Sequence, residues 1–149
     1  MADCILVTGG AGYVGSHVIV ELARAGYAPV ILDSFATSSP AVLPRLAALA
    51  GAPVPCIEAD VRDVDALRRA FHDHPISGVV HCAGLTAVGE SEARPLAYYD
   101  VNVGGMLALA EVMGEAGVAT CVFSSSATVY GQPDALPVGT GAADPRRRL

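Results

Sequence analysis

The 149-residue chain contains no lysine and no tryptophan, and only 5% of it is aromatic. Charge is scarce as well: charged residues make up 16%, and nine arginines stand against fifteen carboxylates for a net charge of −6. An acidic surface without a basic surplus argues against nucleic acid as the main partner, because phosphate binding needs positive charge. No apolar run reaches the length of a membrane span, and no basic stretch precedes the first apolar run as in a signal peptide. No pair of cysteines has the C-x-x-C spacing. Cys4, Cys56, Cys82 and Cys121 lie far apart, each in or beside an apolar run. They read as small reduced hydrophobes of a cytoplasmic protein, with Cys82 the candidate if one were reactive. No internal repeat is present.

What the chain does have is aliphatic surplus. It is 52% hydrophobic, which excludes disorder, since disordered chains are poor in apolar residues. With few aromatics, that surplus comes from Ala, Val, Leu and Ile, as in parallel core strands and their covering helices. Length alone allows one domain with one core.

Five apolar runs predict strands: Cys4–Val7, Pro29–Leu32, Pro55–Glu58, Gly78–Cys82 and Ala119–Phe123. Amphipathic segments between them predict helices over Gly12–Ala25, Ala41–Ala50, Val64–His72 and, after a loop, Leu96–Glu115, with Gly26 and Gly117 as C-caps. Alternating strands and helices imply β-α-β units, hence an α/β, Rossmann-type doubly wound parallel sheet. The segment 132–149 breaks this pattern. It is rich in Gly, Pro and Ala and ends in three arginines.

The first strand runs into Thr8-Gly9-Gly10-Ala11-Gly12-Tyr13-Val14-Gly15-Ser16-His17. Gly9, Gly12 and Gly15 give a G-x-x-G-x-x-G spacing. Gly9 allows the tight turn, Gly12 lets the backbone approach a pyrophosphate, and Gly15 lets the helix pack close to the sheet. The helix N-terminus then offers free N–H groups to the anion. A glycine motif alone is weak, but this one leaves a strand and opens a helix. Asp33 ends the second strand, where a carboxylate accepts the adenosine ribose hydroxyls. No arginine follows it until Arg45, so NAD is expected rather than NADP. Asp60, after the third strand, reads either as an acceptor for the adenine amino group or as a cap on the loop before Val64. His81 reads as a satisfied buried histidine, and Tyr98 and Tyr99 as core packing.

Three blocks carry more: Thr8–His17, His81-Cys82-Ala83-Gly84-Leu85-Thr86-Ala87-Val88-Gly89-Glu90-Ser91, and Ser124-Ser125-Ser126-Ala127-Thr128-Val129-Tyr130-Gly131. Together they resemble the UDP-glucose 4-epimerase family, within the extended short-chain dehydrogenases/reductases, over about residues 4–137. The second and third blocks separate it from sister sugar-nucleotide dehydratases. The resemblance implies tight NAD binding and hydride removal from C4 of a UDP-hexose. A 4-keto intermediate then turns over and takes the hydride back on its other face. It implies a UDP-hexose substrate for the full-length parent and allows a homodimer. By resemblance, Tyr13, Val14, Asp33, Ser34, Asp60, Val61, Cys82, Ala83, Gly84, Thr86 and Ser124 join the three glycines at the NAD site, and Ser126 matches the catalytic serine.

The chain also departs from the family. Thr86 stands where many members have a lysine reaching toward the cofactor, and Val101 replaces the first Asn of an Asn-Asn-Val, Asn102 keeping the second. The family's catalytic Tyr-x-x-x-Lys is absent, and with no lysine it can exist nowhere in this chain. Asp134, four places after Tyr130, excludes that tyrosine. The expected organisation is therefore an NAD-binding lobe over 1–137 and an irregular tail over 138–149, with the substrate lobe missing and negligible activity. Read one nucleotide later, the tail's codons could restore a family-like Glu-x-x-Pro-Leu-Thr-Pro. That suggests a frameshift, which sequencing the gene past codon 149 tests. Two other readings stay open: a non-catalytic NAD-sensing module, and a fragment of another extended short-chain enzyme.

Overall fold

The computed structural model describes residues 2–126. The expected tail, the domain limit at 137 and Ala127–Gly131 of the third block lie outside the described residues. Five strands form one parallel sheet in the order β3-β2-β1-β4-β5: β1 (Cys4–Thr8), β2 (Ala28–Asp33), β3 (Cys56–Glu58), β4 (Ile76–His81) and β5 (Cys121–Phe123). The helices are α1 (Tyr13–Arg24), α2 (Leu43–Ala50), α3 (Val64–Asp73), α4 (Val88–Ala93), α5 (Pro95–Tyr99) and α6 (Gly105–Glu115).

Consecutive residues of β1 explain the layers. Leu6 and Val7 are both 0% exposed, although neighbours in a strand point to opposite faces, so both faces are covered. Leu6, Val30, Leu32 and Val79 pack with Leu67 and Ala70 of α3 and Leu109 and Val112 of α6. Val7 and Ile31 pack on the other face with Ile19 and Val20 of α1 and Leu46 of α2. The sheet is thus doubly wound, as the pattern predicted. Helix limits have local causes. The Asp63 carboxylate caps α3 by accepting the Ala66 N–H at 2.9 Å. Gly26 and Gly117 follow α1 and α6 with φ of +87° and +69°, the left-handed stop expected of them.

The strand order reverses between β1 and β4, so the crevice beyond their C-terminal ends is the place where such sheets take ligands. β5 forms one edge of the described sheet, with Val122 and Phe123 more than half exposed.

Four expectations need correction. The helix over Leu96–Glu115 is not continuous: α5 ends at Tyr99, a π-helical turn covers Asp100–Gly104, and α6 begins at Gly105. Gly104 and Gly105, with β-branched Val101 and Val103, weaken the α-helix there. The loop before it contains α4. Tyr98 is buried, its hydroxyl donating to Ala87 O at 2.9 Å and Glu90 Oε2 at 3.1 Å, but Tyr99 is exposed. Strand limits also shift: β4 starts two residues earlier and stops at His81, and β3 and β5 each start later than expected.

Candidate functional site

β1 ends at Thr8 and the chain turns sharply. Gly9 adopts φ +67°, in the left-handed region, and its N–H donates to Leu32 O at 2.8 Å, tying the turn to β2. A Cβ on Gly9 would lie 2.7 Å from Ala83 N and 2.8 Å from the carbonyl carbon of Cys82, so the loops leaving β1 and β4 touch backbone to backbone. Gly12 N–H returns to Gly9 O at 3.1 Å, closing the turn. A Cβ on Gly15 would collide with the Gly9 carbonyl and reach within 2.7 Å of Gly10 Cα. Gly15 therefore brings α1 against its own glycine turn, a finer statement than helix-to-sheet packing. α1 opens at Gly12 with no side-chain cap and no acidic residue in its first turn, which leaves N–H groups and the positive dipole end for an anion.

Asp33 ends β2, buried beside this turn. Its Oδ2 accepts the Ala11 N–H at 2.9 Å, and its Oδ1 accepts the Phe35 N–H at 2.9 Å and the Ser38 hydroxyl at 2.8 Å. Phe35 carries φ +54°, rare for a bulky residue, and the Asp33 carboxylate holds the strained turn in place. A carboxylate has about four acceptor positions, so three bonds leave Asp33 able to accept another donor. Ser34 is exposed beside it.

On the far side of β2, Asp60 lies two residues past the end of β3, in the following loop. Asp63, not Asp60, caps α3. The Asp60 carboxylate is gripped by Arg62: Oδ1 accepts the Arg62 backbone N–H and Nε, both at 2.9 Å, and Oδ2 accepts Nη2 at 2.7 Å. The guanidinium hydrogen bond holds the Asp60 carboxyl below the usual carboxylate range. The remaining Nη1 of Arg62 pairs with Asp100. Val61 is buried next to Gly105, whose missing Cβ would sit 2.5 Å from Val61 Cγ1.

Across the crevice, His81 ends β4 almost fully buried. Its Nδ1 and the Thr8 hydroxyl share a hydrogen bond of 2.6 Å, and its ring stacks on Phe123 at 5.6 Å. Burial lowers its proton affinity, and the satisfied, buried histidine expected is what the fold contains. Burial also raises the Cys82 thiol, which argues against a reactive thiolate there. Cys82, Ala83 and Gly84 continue from His81 at partial exposure, and Thr86 is exposed. Asn102 clamps this loop, accepting the Leu85 N–H at 2.8 Å and donating to Leu85 O at 3.0 Å. Ser124 and Ser126 follow β5, exposed, with the Ser124 N–H on His81 O at 2.9 Å.

The expected site residues thus fall at the C-terminal ends of all five described strands, at one end of the sheet. The glycine turn, Asp33 and the loop after β4 are joined directly, and Asp60 stands one strand farther out. Exposed Tyr13 and Val14 begin α1. Arg62 and Asn102 were not among the expected contacts. The Asn-Asn-Val comparison had touched Asn102, but nothing in local spacing flags Arg62.

The chain matches the family model "NAD dependent epimerase/dehydratase family" over residues 5–147. The chain belongs to that family. Among similar proteins, the epimerase/dehydratase sequence is 53% identical over 133 residues to the UDP-glucose 4-epimerase of Neisseria meningitidis serogroup B, covering 89% of this chain and 39% of that protein. It is 49% identical over 144 residues to the Homo sapiens UDP-glucose 4-epimerase, covering 93% of this chain and 41% of that protein. In structure it matches a UDP-glucose-4-epimerase from Stenotrophomonas maltophila with bound NAD and formylated UDP-arabinopyranose, with a TM-score of 0.87 and 45% identity, over 93% of this chain and 41% of that one. The Bifidobacterium longum UDP-glucose 4-epimerase in complex with NAD+ and UDP gives a TM-score of 0.87 and 45% identity, over 91% and 41%. The chain spans about 40% of the length of these relatives.

Proposed function

We propose that this chain is the NAD-binding part of a UDP-glucose 4-epimerase, which interconverts UDP-glucose and UDP-galactose through a 4-keto intermediate in galactose metabolism. The observation that carries the reading is the cradle at the end of β1. Gly9 and Gly15 sit where a Cβ would strike backbone, α1 starts uncapped, and the Asp33 carboxylate is anchored beside them. A dinucleotide fits this set: its pyrophosphate on the α1 N-terminus, its adenosine ribose on Asp33 and Ser34, its adenine near Asp60 and Val61. The loop Cys82–Gly84 with Thr86 and Ser124 completes the cofactor site. The lone carboxylate at the ribose position favours NAD over NADP. When bound, NAD supplies the acceptor for the hydride from the sugar C4.

Ser126 is the residue proposed to hydrogen-bond the C4 oxygen, from its place just past β5. The general base is another matter. The family's Tyr-x-x-x-Lys pair cannot exist in a chain without lysine, so this chain alone is proposed not to turn over a UDP-hexose. For the full-length protein we also propose a homodimer, supported by exposed Leu96, Tyr99, Val103 and Leu107 along α5, the π-helical turn and α6. A cytoplasmic location is supported by the four free cysteines.

The test pairs two assays on the purified chain: calorimetric titration with NAD, and conversion of UDP-galactose to UDP-glucose with NAD present. Binding without conversion is the expected result. Conversion at the rate of an intact epimerase overturns the claim of inactivity, and absence of NAD binding overturns the cofactor site.

A further inference from the structure

We propose that Arg62 is a positioning residue for nucleotide choice, aiming the Asp60 carboxylate so that the site accepts a 6-amino purine and refuses a 6-oxo purine. The inference rests on the reading of this site as an NAD site, and deepens it.

The geometry is a count of acceptor positions. A carboxylate offers about four. On Oδ1, two are taken by the Arg62 backbone N–H and Nε, both at 2.9 Å. On Oδ2, one is taken by Nη2 at 2.7 Å. One acceptor position remains, on Oδ2, and the planar guanidinium fork fixes its direction. The fork is itself held from the other end, because Nη1 pairs with Asp100 at the start of the π-helical turn. Between them, Val61 is buried against Gly105, so the loop carrying Asp60 is tied to the helical layer at two points.

The Arg62 and Asp60 side chains are 40% and 38% exposed and Asp100 is 62% exposed, so water screens the pairing and its contribution to folding is modest. What the fork fixes is direction. At neutral pH Asp60 is an acceptor without a proton to donate, and the Arg62 hydrogen bonds hold its carboxyl below the usual carboxylate range. An exocyclic amino group of adenine donates to the free position. The carbonyl oxygen of hypoxanthine, placed there instead, faces a negative oxygen with no proton between them.

The experiment compares NAD with nicotinamide hypoxanthine dinucleotide by calorimetry, on wild type, Arg62→Met, Arg62→Lys and Asp100→Asn. Wild type is expected to prefer NAD by about 10- to 100-fold, the range for one hydrogen bond to a charged group. Arg62→Met is expected to shrink that preference to about threefold or less, mostly by weakening NAD, with the circular dichroism spectrum unchanged. Arg62→Lys keeps the charge but loses the fork, and is expected not to restore the preference. If Arg62→Met does not fold, Asp100→Asn carries the test, with a preference between those of wild type and Met. A variant set that keeps the full preference overturns the proposal, as does NAD binding that tightens when Arg62 is removed, which makes Arg62 a competitor of the base. Wild type that fails to bind NAD overturns the cofactor site itself, and that failure shows before any variant is measured.

Discussion

Gly9→Ala and Gly26→Ala place the same methyl group on two residues of left-handed φ, +67° and +87°, but in different surroundings. At Gly26 nothing lies within 4 Å of the new Cβ. Only the backbone penalty applies, about 1–2 kcal/mol. At Gly9 the Cβ meets Ala83 N at 2.7 Å and Ala83 Cα and Cys82 C at 2.8 Å, all main-chain atoms that no rotamer change can move aside. Overpacking adds about 1–3 kcal/mol, for a total of about 2–5 kcal/mol. For a chain of this size 1 kcal/mol moves Tm by about 2–4 °C. Gly26→Ala should therefore melt about 2–8 °C below wild type and Gly9→Ala about 4–20 °C below it. The second readout is function. Saturation with NAD at a hundred times Kd stabilises a folded binder by about 2.7 kcal/mol. That ligand-induced rise in Tm should survive in Gly26→Ala. It should vanish in Gly9→Ala, whose relief requires the turn after β1 and the loop after β4 to separate. Differential scanning fluorimetry with and without NAD reads both. Equal melting temperatures and equal NAD shifts in the two variants would refute the claim that backbone contact between these loops builds the site.

Three further outcomes follow from the same contacts. Asp33→Ala is expected to weaken NAD binding by about 10- to 100-fold in calorimetry; unchanged affinity removes Asp33 from the ribose. Asn102→Ala strips both partners from Leu85 and should lower stability by about 1–3 kcal/mol while speeding hydrogen exchange at the Leu85 amide; unaltered exchange there contradicts the clamp. For His81, burial depresses the folded-state proton affinity, so the unfolded chain binds more protons as pH falls. The contribution is fully present above about pH 6.5 and is lost as pH falls through the lower folded value, with a slope of at most about 1.4 kcal/mol per pH unit. Denaturant melts of wild type and His81→Gln between pH 7.5 and 5 should diverge in that direction, and parallel curves contradict a buried neutral His81.

The sheet was legible because its strands are short aliphatic runs set between longer amphipathic ones, a contrast that survives errors of a residue or two. The glycine turn was legible because Gly12 and Gly15 answer to steric needs within the turn itself and Gly9 to its left-handed φ, although the approach of Gly9 to Cys82 and Ala83 is long-range and no local spacing shows it. Asp33 was placed correctly at the end of β2, but its bonds to Ala11 and Ser38 depend on how two loops fold back, which no period encodes. The helix over 96–115 was misread for a related reason. Apolar residues continue at helical spacing through Asp100–Gly104, yet the backbone widens there into a π-helical turn. That turn carries Asp100, paired with Arg62, and Asn102, which clamps Leu85. Those partners lie 38 and 17 positions away in sequence, so only the folded chain brings them together. Asp60 had two readings from sequence. Its carboxylate does cap the loop before Val64, by accepting the Arg62 backbone N–H, while Asp63 caps α3; the grip of the Arg62 guanidinium was visible in neither reading.

The central claim is that a dinucleotide lies across the C-terminal ends of β1, β2 and β4, with its pyrophosphate on the glycine turn. Backbone amide NMR of the isotope-labelled chain, titrated with NAD, measures this residue by residue. The account predicts the largest shifts at Gly9–Gly15, Asp33 and Ser34, Val61, and Cys82–Gly84, with the outer residues of α2 and α3 unmoved. Shifts confined to other surfaces, or none at millimolar NAD, contradict it.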